Sequence, residues 1–182
     1  MPVHEPDTLK IHQELFGRYK KRLEEIDKDD TDEEREEPFE RSFLHNAIYL
    51  HRIWFEQLEG KPEEKGSSPL LDEILGRRDS DMSTFKTWMN DFAEAAQPNG
   101  WAVWGWAHSL KTFVGFPIRG HDDSVPLGVT PLIVIDCWEH AWIGDYGLDF
   151  KAYLEKFWQE INWDVIEQRH HELAGMFGYG VK

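Results

Sequence analysis

The sequence predicts an α+β protein in which an N-terminal antiparallel helical hairpin packs on a C-terminal domain with a three-stranded antiparallel sheet and helices. Three observations predict it: helical spacing of apolar residues in the first third of the chain, short aromatic and β-branched runs after Gly100, and helical patterns again at the end. A stretch rich in Gly, Pro, Ser and Lys at residues 60–68 separates the two parts. We therefore expect a helical hairpin over residues 1–66 and an α/β domain over residues 67–182.

The composition is that of a folded, acidic protein. Its 182 residues are 40% hydrophobic and 14% aromatic, which is typical of a globular unit with a sizeable core. The net charge of -15 argues against nucleic acid as a partner, because phosphate contacts depend on clustered Lys and Arg. The single cysteine, Cys137, excludes an internal disulfide, and no run approaches the ~20 apolar residues of a membrane span. We expect a soluble, cytoplasmic protein without a targeting signal.

Two apolar stripes predict the helical hairpin. The first, over residues 9–26, advances in alternating steps of three and four, and the second, over residues 39–58, has the same helical spacing. The charged run 27–37 is the expected connection between them. The stripes consist of Leu9, His12, Phe16, Tyr19, Leu23 and Ile26 on the first helix, and Leu44, Ile48, His51, Phe55 and Leu58 on the second. Facing stripes would turn one histidine of each helix inward.

The C-terminal part is predicted to contain both helices and strands. Helical patterns occur at residues 70–75 and 82–96, and aromatic, β-branched runs at 101–107 and 112–118 flank a turn and predict a hairpin. A third strand is expected at 131–135. Helical patterns then begin at residue 138 and recur at 150–160 and 162–173.

His12 and His51 are polar residues in the middle of apolar stripes. Burying such a side chain without a partner costs about 1–3 kcal/mol, so each needs a hydrogen bond or a ligand. A core histidine bonded to a backbone carbonyl is the simpler interpretation of either one alone. Two such histidines on facing helices favour a partner that both bind, such as a metal ion.

Asp136 ends an apolar strand, and His140 follows four residues later. A carboxylate at the end of a buried strand needs a cation or hydrogen-bond donors. Asp136 could equally be a helix N-cap with Glu139 as its capping-box partner, and that alternative stays open on the local sequence. Three imidazoles and a carboxylate would suit manganese or iron, with zinc also possible.

The segment Asp136-Cys137-Trp138-Glu139-His140-Ala141-Trp142 resembles the Asp-x-Trp-Glu-His-Ala-Tyr motif of the iron/manganese superoxide dismutases. The resemblance extends over nearly the whole chain. Similar segments are Thr8-Leu9-Lys10-Ile11-His12, His51-Arg52-Ile53-Trp54-Phe55, Gly100-Trp101-Ala102, Phe157-Trp158 and Asn162-Trp163-Asp164.

The resemblance implies a mononuclear manganese or iron site held by His12, His51, Asp136 and His140, at which superoxide is converted to dioxygen and hydrogen peroxide. It also implies a homodimer in which Glu139 contacts the ligand histidine of the partner subunit. His121, after the second strand, resembles the residue that supplies protons beside the metal, and the other position for such a residue, on the helix, is taken by Ala47, which cannot serve. The alternative is that His121 is an ordinary loop histidine. Tyr19 is similar to a tyrosine at the mouth of the site.

Several positions depart from the family pattern. The tyrosine is expected eight residues after the first histidine, where this chain has Lys20; Tyr19 is seven residues after His12 and still faces the same way on a helix. Phe16 replaces a second helix histidine. The loop 147–151 lacks the Arg-Pro pair near the substrate funnel, although Lys20, Lys21, Arg52 or Lys151 could compensate locally. The alternative is therefore a diverged protein of this fold with a structural or repurposed metal site.

Five histidines have no role assigned by these patterns, and we expect them at surface or loop positions: His4, His45, His108, His170 and His171.

Overall fold

The computed structural model describes residues 3–28, 38–60 and 81–177. The helices are α1 (Pro6–Lys28), α2 (Pro38–Glu56), α3 (Met82–Ala96), a 3-10 helix (Glu139–Ala141), α4 (Ile143–Tyr146), α5 (Phe150–Glu160) and α6 (Trp163–Phe177), and the strands are β1 (Gly100–Ala107), β2 (Thr112–Arg119) and β3 (Val129–Asp136). This order confirms the predicted α+β class. The expected helix at 70–75, the boundary between residues 66 and 67 and most of the connection 27–37 lie outside the described residues, so the division into two domains stays a prediction.

The first two helices pack against each other as the apolar stripes predict. His12 is the one residue of α1 that is fully buried, and the other members of its stripe are half-buried. On α2 the inward side includes Ala47, His51 and Trp54, all at most 1% exposed. Near the end of α1, the Arg22 guanidinium donates two hydrogen bonds of 2.7 and 2.9 Å to the Glu40 carboxylate. The predicted helical pair is confirmed.

The three strands form an antiparallel sheet in the order β2-β1-β3. The central strand β1 is buried along its whole length because it has a neighbour on both sides and helices against the sheet. Helix α3 packs on β1 and β2, where Gly115 leaves room for the rings of Trp88 and Phe92; a Cβ at that position would come within 2.7 Å of both. The sheet therefore holds β3 at an edge, with Asp136 at the end of that strand.

The side chain of Gln57, just after α2, occupies part of the free edge of β3. Its amide nitrogen donates to the carbonyl of Val134, and its amide oxygen accepts from the Val134 N–H over 3.2 Å. A single glutamine thus satisfies both backbone groups that a fourth strand would otherwise pair. This contact fixes the end of α2, and with it His51, relative to β3.

Among the described residues, no helix combines the length and apolar character required to cross a membrane.

Candidate metal centre

Four side chains from four elements of the fold converge at one point. His12 comes from α1, His51 from α2, Asp136 from the end of β3 and His140 from the 3-10 helix that follows. One potential ligand atom of each lies within 4.8 Å of the others, and all but His140 are fully buried. The structure therefore brings together the four residues that the sequence predicts as metal ligands.

The distances within this cluster fit a small cation. Asp136 Oδ2 lies 3.3 Å from His12 Nε2, 3.5 Å from His140 Nε2 and 3.7 Å from His51 Nε2. Nitrogen and oxygen donors held at ~2.1 Å from one ion are separated from their neighbours by roughly 3 to 3.6 Å. The measured oxygen–nitrogen distances are thus close to those expected between ligand atoms of one shared ion.

These four atoms also lack other partners. Within the described part of the chain, Nε2 of the three histidines and Oδ2 of Asp136 are buried and make no hydrogen bond of acceptable geometry. Buried polar atoms are almost always paired, because leaving one unpaired costs about 1–3 kcal/mol. Four unpaired atoms facing one another indicate that a cation is their intended partner.

The outer nitrogens of the two helix histidines orient the rings. Nδ1 of His51 donates to the carbonyl of Ala47 over 2.7 Å, one turn earlier on the same helix, and Nδ1 of His12 lies 3.3 Å from Nε2 of His4. When Nδ1 carries the proton of a neutral imidazole, Nε2 keeps a lone pair for a metal. The hydrogen bond to a backbone carbonyl that is predicted for an ordinary core histidine is therefore present at His51. It also holds the ring with Nε2 toward the cluster, the orientation that metal binding requires.

Asp136 uses its two oxygens for different purposes. Oδ1 accepts a hydrogen bond of 2.9 Å from the backbone N–H of Trp138, whereas Oδ2 faces the three histidines. The N-cap alternative with Glu139 as capping-box partner is therefore wrong, although the carboxylate does stabilise the turn after β3. Trp138, not Asp136, precedes the 3-10 helix as its cap residue.

Burial and charge set the ionisation of these ligands. Burial lowers the pKa of His12, and it lowers the pKa of His51 to about 3, so both imidazoles are neutral near pH 7. Burial alone would raise the pKa of Asp136, but His140 and His12 outweigh it and hold the pKa well below its ordinary value. Neutral imidazoles and an ionised carboxylate are the forms that bind metal ions.

The donor set fits manganese or iron. Three imidazole nitrogens and one carboxylate oxygen are ligands that both metals accept, and zinc would accept them too. Cys137 lies next to Asp136, but its thiol donates to the carbonyl of Ile135 over 3.4 Å and burial raises its pKa well above the ordinary range. A thiolate from this cysteine is therefore not part of the set.

His121 lies beside the cluster, in a turn stabilised by backbone hydrogen bonds between Arg119 and Asp123. Its ring is fully buried, 5.6 Å from the His51 ring, and stacks on Trp138 at 4.8 Å. Trp101 Nε1 donates to His121 Nδ1 over 3.0 Å, while Nε2 has no hydrogen-bond partner among the described residues. Burial lowers the pKa of His121 to about 4, so this imidazole is neutral near pH 7.

Tyr19 also faces the cluster despite its shifted position in the sequence. Its ring lies 5.6 Å from the His51 ring and 5.7 Å from the His121 ring. Burial and the nearby Asp136 charge raise the pKa of Tyr19, so its hydroxyl stays protonated. The residue that follows, Lys20, is exposed and places its ammonium 4.4 Å from the centre of the Phe16 ring.

The loop that lacks the expected arginine has a different use here. Asp149 caps α5 by accepting a 3.0 Å hydrogen bond from the Ala152 N–H. Phe150 is 7% exposed and packs edge-on against Trp142 at 5.1 Å. This stretch therefore contributes packing and a helix cap where the family pattern has a cation.

Two residues beside the cluster carry no signal in the sequence. His4 is only 2% exposed, with Nε2 against His12 and Nδ1 3.3 Å from Asp145 Oδ2. His4 therefore lies in a loop, as expected, but it is buried there, whereas the expectation of a surface or loop position is wrong for His170, which lies in α6 and is 4% exposed. His4 precedes α1 and belongs to no apolar stripe, and Asp145 is 141 residues away from it, so no periodic pattern could have connected them.

The fold and this cluster define an α+β protein with a three-histidine, one-aspartate cluster that could hold a metal ion. Comparison with protein families matches residues 68–169 to the C-terminal domain of iron/manganese superoxide dismutases. The chain belongs to the iron/manganese superoxide dismutase family.

Individual relatives agree with this assignment. The chain is 27% identical to superoxide dismutase [Mn] 2 of Halobacterium salinarum over 136 residues, which are 73% of this chain and 66% of that protein. It is 26% identical to superoxide dismutase [Mn] of Haloarcula marismortui over 140 residues, 73% of this chain and 65% of that protein. It is 31% identical to superoxide dismutase [Mn] of Mycobacterium kansasii over 117 residues, 63% of this chain and 69% of that protein. The chain thus spans slightly less than two thirds of the two haloarchaeal proteins.

Proposed function

We propose that this protein is a superoxide dismutase that uses one manganese or iron ion per chain, held by His12, His51, Asp136 and His140. The single observation that carries the proposal is the convergence of four buried, unpaired ligand atoms within 4.8 Å. Bound manganese or iron would supply one-electron chemistry, accepting an electron from one superoxide and returning one to the next. The family and the names of the relatives support this reaction.

The protein's own part in this reaction is to bind the ion and to deliver protons. Three neutral imidazoles and one carboxylate contribute a ligand charge of about -1, which favours a multiply charged cation over a proton. We assign proton delivery to His121 and Tyr19. His121 accepts from Trp101 at Nδ1, so its own proton is on Nε2, and the Tyr19 ring lies 5.7 Å from the His121 ring.

The same proposal includes a homodimer in which Glu139 reaches the partner subunit's ligand histidine. Glu139 is exposed, and the neighbouring His140 is the one ligand with solvent contact, its side chain being 20% exposed. A carboxylate from a second copy could cover this opening and accept a hydrogen bond from the ring. The cytoplasmic location and the division at residues 66 and 67 stay predictions as well.

Metal analysis combined with a superoxide-decay assay tests the function. We expect about one manganese or iron per chain after loading, and saturable removal of superoxide. His140→Ala should abolish both metal retention and activity, whereas His45→Ala, which changes an exposed histidine of α2, should alter neither. Tight zinc binding without superoxide removal after manganese or iron loading would contradict the proposal.

A second candidate is a protein of this fold whose metal site is structural or serves another reaction. The observation that favours it is the buried Phe150 beside the helix cap Asp149, in the loop where the family pattern has an arginine. In a chain of net charge -15, losing a cation near the site weakens the attraction of an anionic substrate. Stoichiometric manganese or iron without superoxide decay would identify this second candidate.

A further inference from the structure

We propose that His4 and Asp145 form a hydrogen-bonded relay that orients His12 and tunes the electron affinity of the metal that His12 holds. Both are positioning residues, because they act on the metal through His12. The inference rests on the proposed function in one respect: it takes His12 as a ligand of manganese or iron.

The relay is a continuous line of polar contacts away from the cluster. His12 Nδ1 lies 3.3 Å from His4 Nε2, and His4 Nδ1 lies 3.3 Å from Asp145 Oδ2. The side chains of His4 and Asp145 are 2% and 8% exposed, so water competes little for these contacts. His4 also packs against the Trp54 ring at 5.1 Å, which restricts the orientation of its imidazole.

Metal binding determines where the protons of this line lie. A neutral His12 that presents the Nε2 lone pair to a metal carries its proton on Nδ1, and the nearest acceptor is Nε2 of His4. A neutral His4 that accepts there carries its own proton on Nδ1 and donates it to the Asp145 carboxylate. Each ring thus has only one tautomer that satisfies the whole line.

Asp145 also joins two ligand segments. It follows His140 by five residues, and its Oδ1 accepts from the Thr8 hydroxyl over 2.6 Å at the start of α1. Its Oδ2 accepts from the backbone N–H of Glu5 over 3.2 Å in addition to His4. One carboxylate therefore ties the beginning of the His12 helix to the segment after His140.

The electronic consequence follows from the charge at the end of the line. A carboxylate that accepts from the outer nitrogen of a ligand histidine makes that histidine a stronger donor, and losing such a partner typically costs 10–100-fold in metal affinity. Here the effect would pass through the His4 ring. A stronger donor with a negative charge behind it stabilises the oxidised ion more than the reduced one, since the oxidised ion carries more positive charge.

Asp145→Asn is the main test, because it removes the charge and keeps the shape. The asparagine oxygen can still accept from His4, and its amide can donate to the Thr8 hydroxyl. We expect the oxidised form to become less favoured by about tenfold, which corresponds to ~59 mV for a one-electron couple. The measurement is reductive titration of the visible absorption of the manganese- or iron-loaded protein, together with competition for the metal against a chelator.

Asp149→Asn is the matched control. It makes the same charge change four residues later, at an exposed helix cap where asparagine is also a good capping residue. Its equilibrium between oxidised and reduced metal and its metal affinity should both stay within twofold of those of the unaltered protein. Equal values for Asp145→Asn and Asp149→Asn would overturn the relay.

Two His4 variants keep the proposal testable if Asp145→Asn folds poorly. His4→Leu removes the acceptor for His12 and should weaken metal binding by 10–100-fold. His4→Gln retains an acceptor without the link to a charged group, so it should restore affinity while keeping the shifted potential. The relay would also be overturned if both His4 variants kept the metal affinity and the reduction potential of the unaltered protein.

The readouts separate this inference from the proposed function. Potential and affinity are measured without superoxide, so manganese or iron binding without superoxide decay would overturn the activity and leave the relay to be judged by its own shifts. Failure of the unaltered protein to bind either metal would overturn both.

Discussion

Trp101 Nε1 donates a 3.0 Å hydrogen bond to Nδ1 of His121, and that contact decides which nitrogen of His121 carries the proton. The indole N–H can only donate, so Nδ1 must be the acceptor and the imidazole proton lies on Nε2. The His121 ring is held in place by stacking on Trp138 at 4.8 Å and by edge contact with Phe43 at 4.6 Å. The result is a fixed N–H donor beside the cluster of three histidines and Asp136.

Replacing His121 should separate metal binding from turnover. His121→Leu removes the donor, and we expect superoxide removal to fall by about 100-fold, the lower range for loss of a positioned proton donor, with metal content unchanged. His121→Gln keeps an N–H and should retain part of the activity. His45→Leu, on the exposed side of α2, is the control for loss of a histidine. Full activity in His121→Leu would remove this residue from the mechanism.

Acid should destabilise the protein from which metal has been removed by chelation. The pKa values of His51 and His121 are lowered from 6.5 to about 3 and about 4. Below pH 6.5 the unfolded chain therefore binds protons that the folded chain does not. The free energy of unfolding consequently decreases as the pH is lowered. Between pH 7 and pH 5 each group should account for a loss of about 2 kcal/mol.

Urea unfolding at pH 7, 6 and 5 measures this dependence. His121→Gln removes one of the two groups and should reduce the slope below pH 6 by about 1.4 kcal/mol per pH unit. The exposed His45→Gln variant should keep the full slope. Identical slopes in all three proteins would show that His121 is not a source of this dependence.

Gln57→Leu should destabilise the fold without touching a ligand. The leucine leaves the N–H and carbonyl of Val134 unpaired at the covered edge of β3, at a cost of about 1–3 kcal/mol for each group. Equilibrium unfolding in urea gives the loss. The control is Gln168→Leu, which removes an exposed hydrogen bond of 3.1 Å to Glu172 on α6 and should cost under about 0.5 kcal/mol. Equal losses in the two variants would contradict the edge-strand role of Gln57.

Lys20 should attract the anionic substrate. Its ammonium lies 4.4 Å from the Phe16 ring, which stacks at 6.0 Å on the His51 ring. We expect Lys20→Glu to lower kcat/KM by about threefold or more at low salt, and added salt to reduce the difference. Lys28→Glu makes the same change at the last residue of α1 and should have a smaller effect. A salt-independent kcat/KM in the unaltered protein would exclude steering.

Three of the four candidate ligands were accessible to pattern reasoning because each interrupts a simple pattern, whereas His140 was found by its spacing from Asp136 and by the family motif. His12 and His51 break apolar helical stripes, and helical periodicity alone turns them toward each other. Asp136 breaks an apolar strand at its end. The local sequence could not choose between a ligand and a cap for this residue, because Glu139, three residues later, also fits a capping box.

The supporting contacts were not accessible in the same way. Gln57 meets Val134 across 77 residues, and His4 meets Asp145 across 141. Such contacts depend on how the helices and strands pack against one another in the tertiary structure, and no rule based on sequence spacing connects residues that far apart. The apolar patterns therefore predict which residues turn inward, whereas the tertiary arrangement decides which of them hold the ligands in place.

The divided use of the Asp136 carboxylate has a consequence for electron transfer. The hydrogen bond from the Trp138 N–H to Oδ1 holds the carboxylate with Oδ2 toward the three histidines, an orientation that favours attachment to a metal through one oxygen. A bound ion would then keep nearly the same surroundings after gaining or losing an electron. Little nuclear rearrangement would be needed in either half of a redox cycle, which is the condition for fast exchange in both directions.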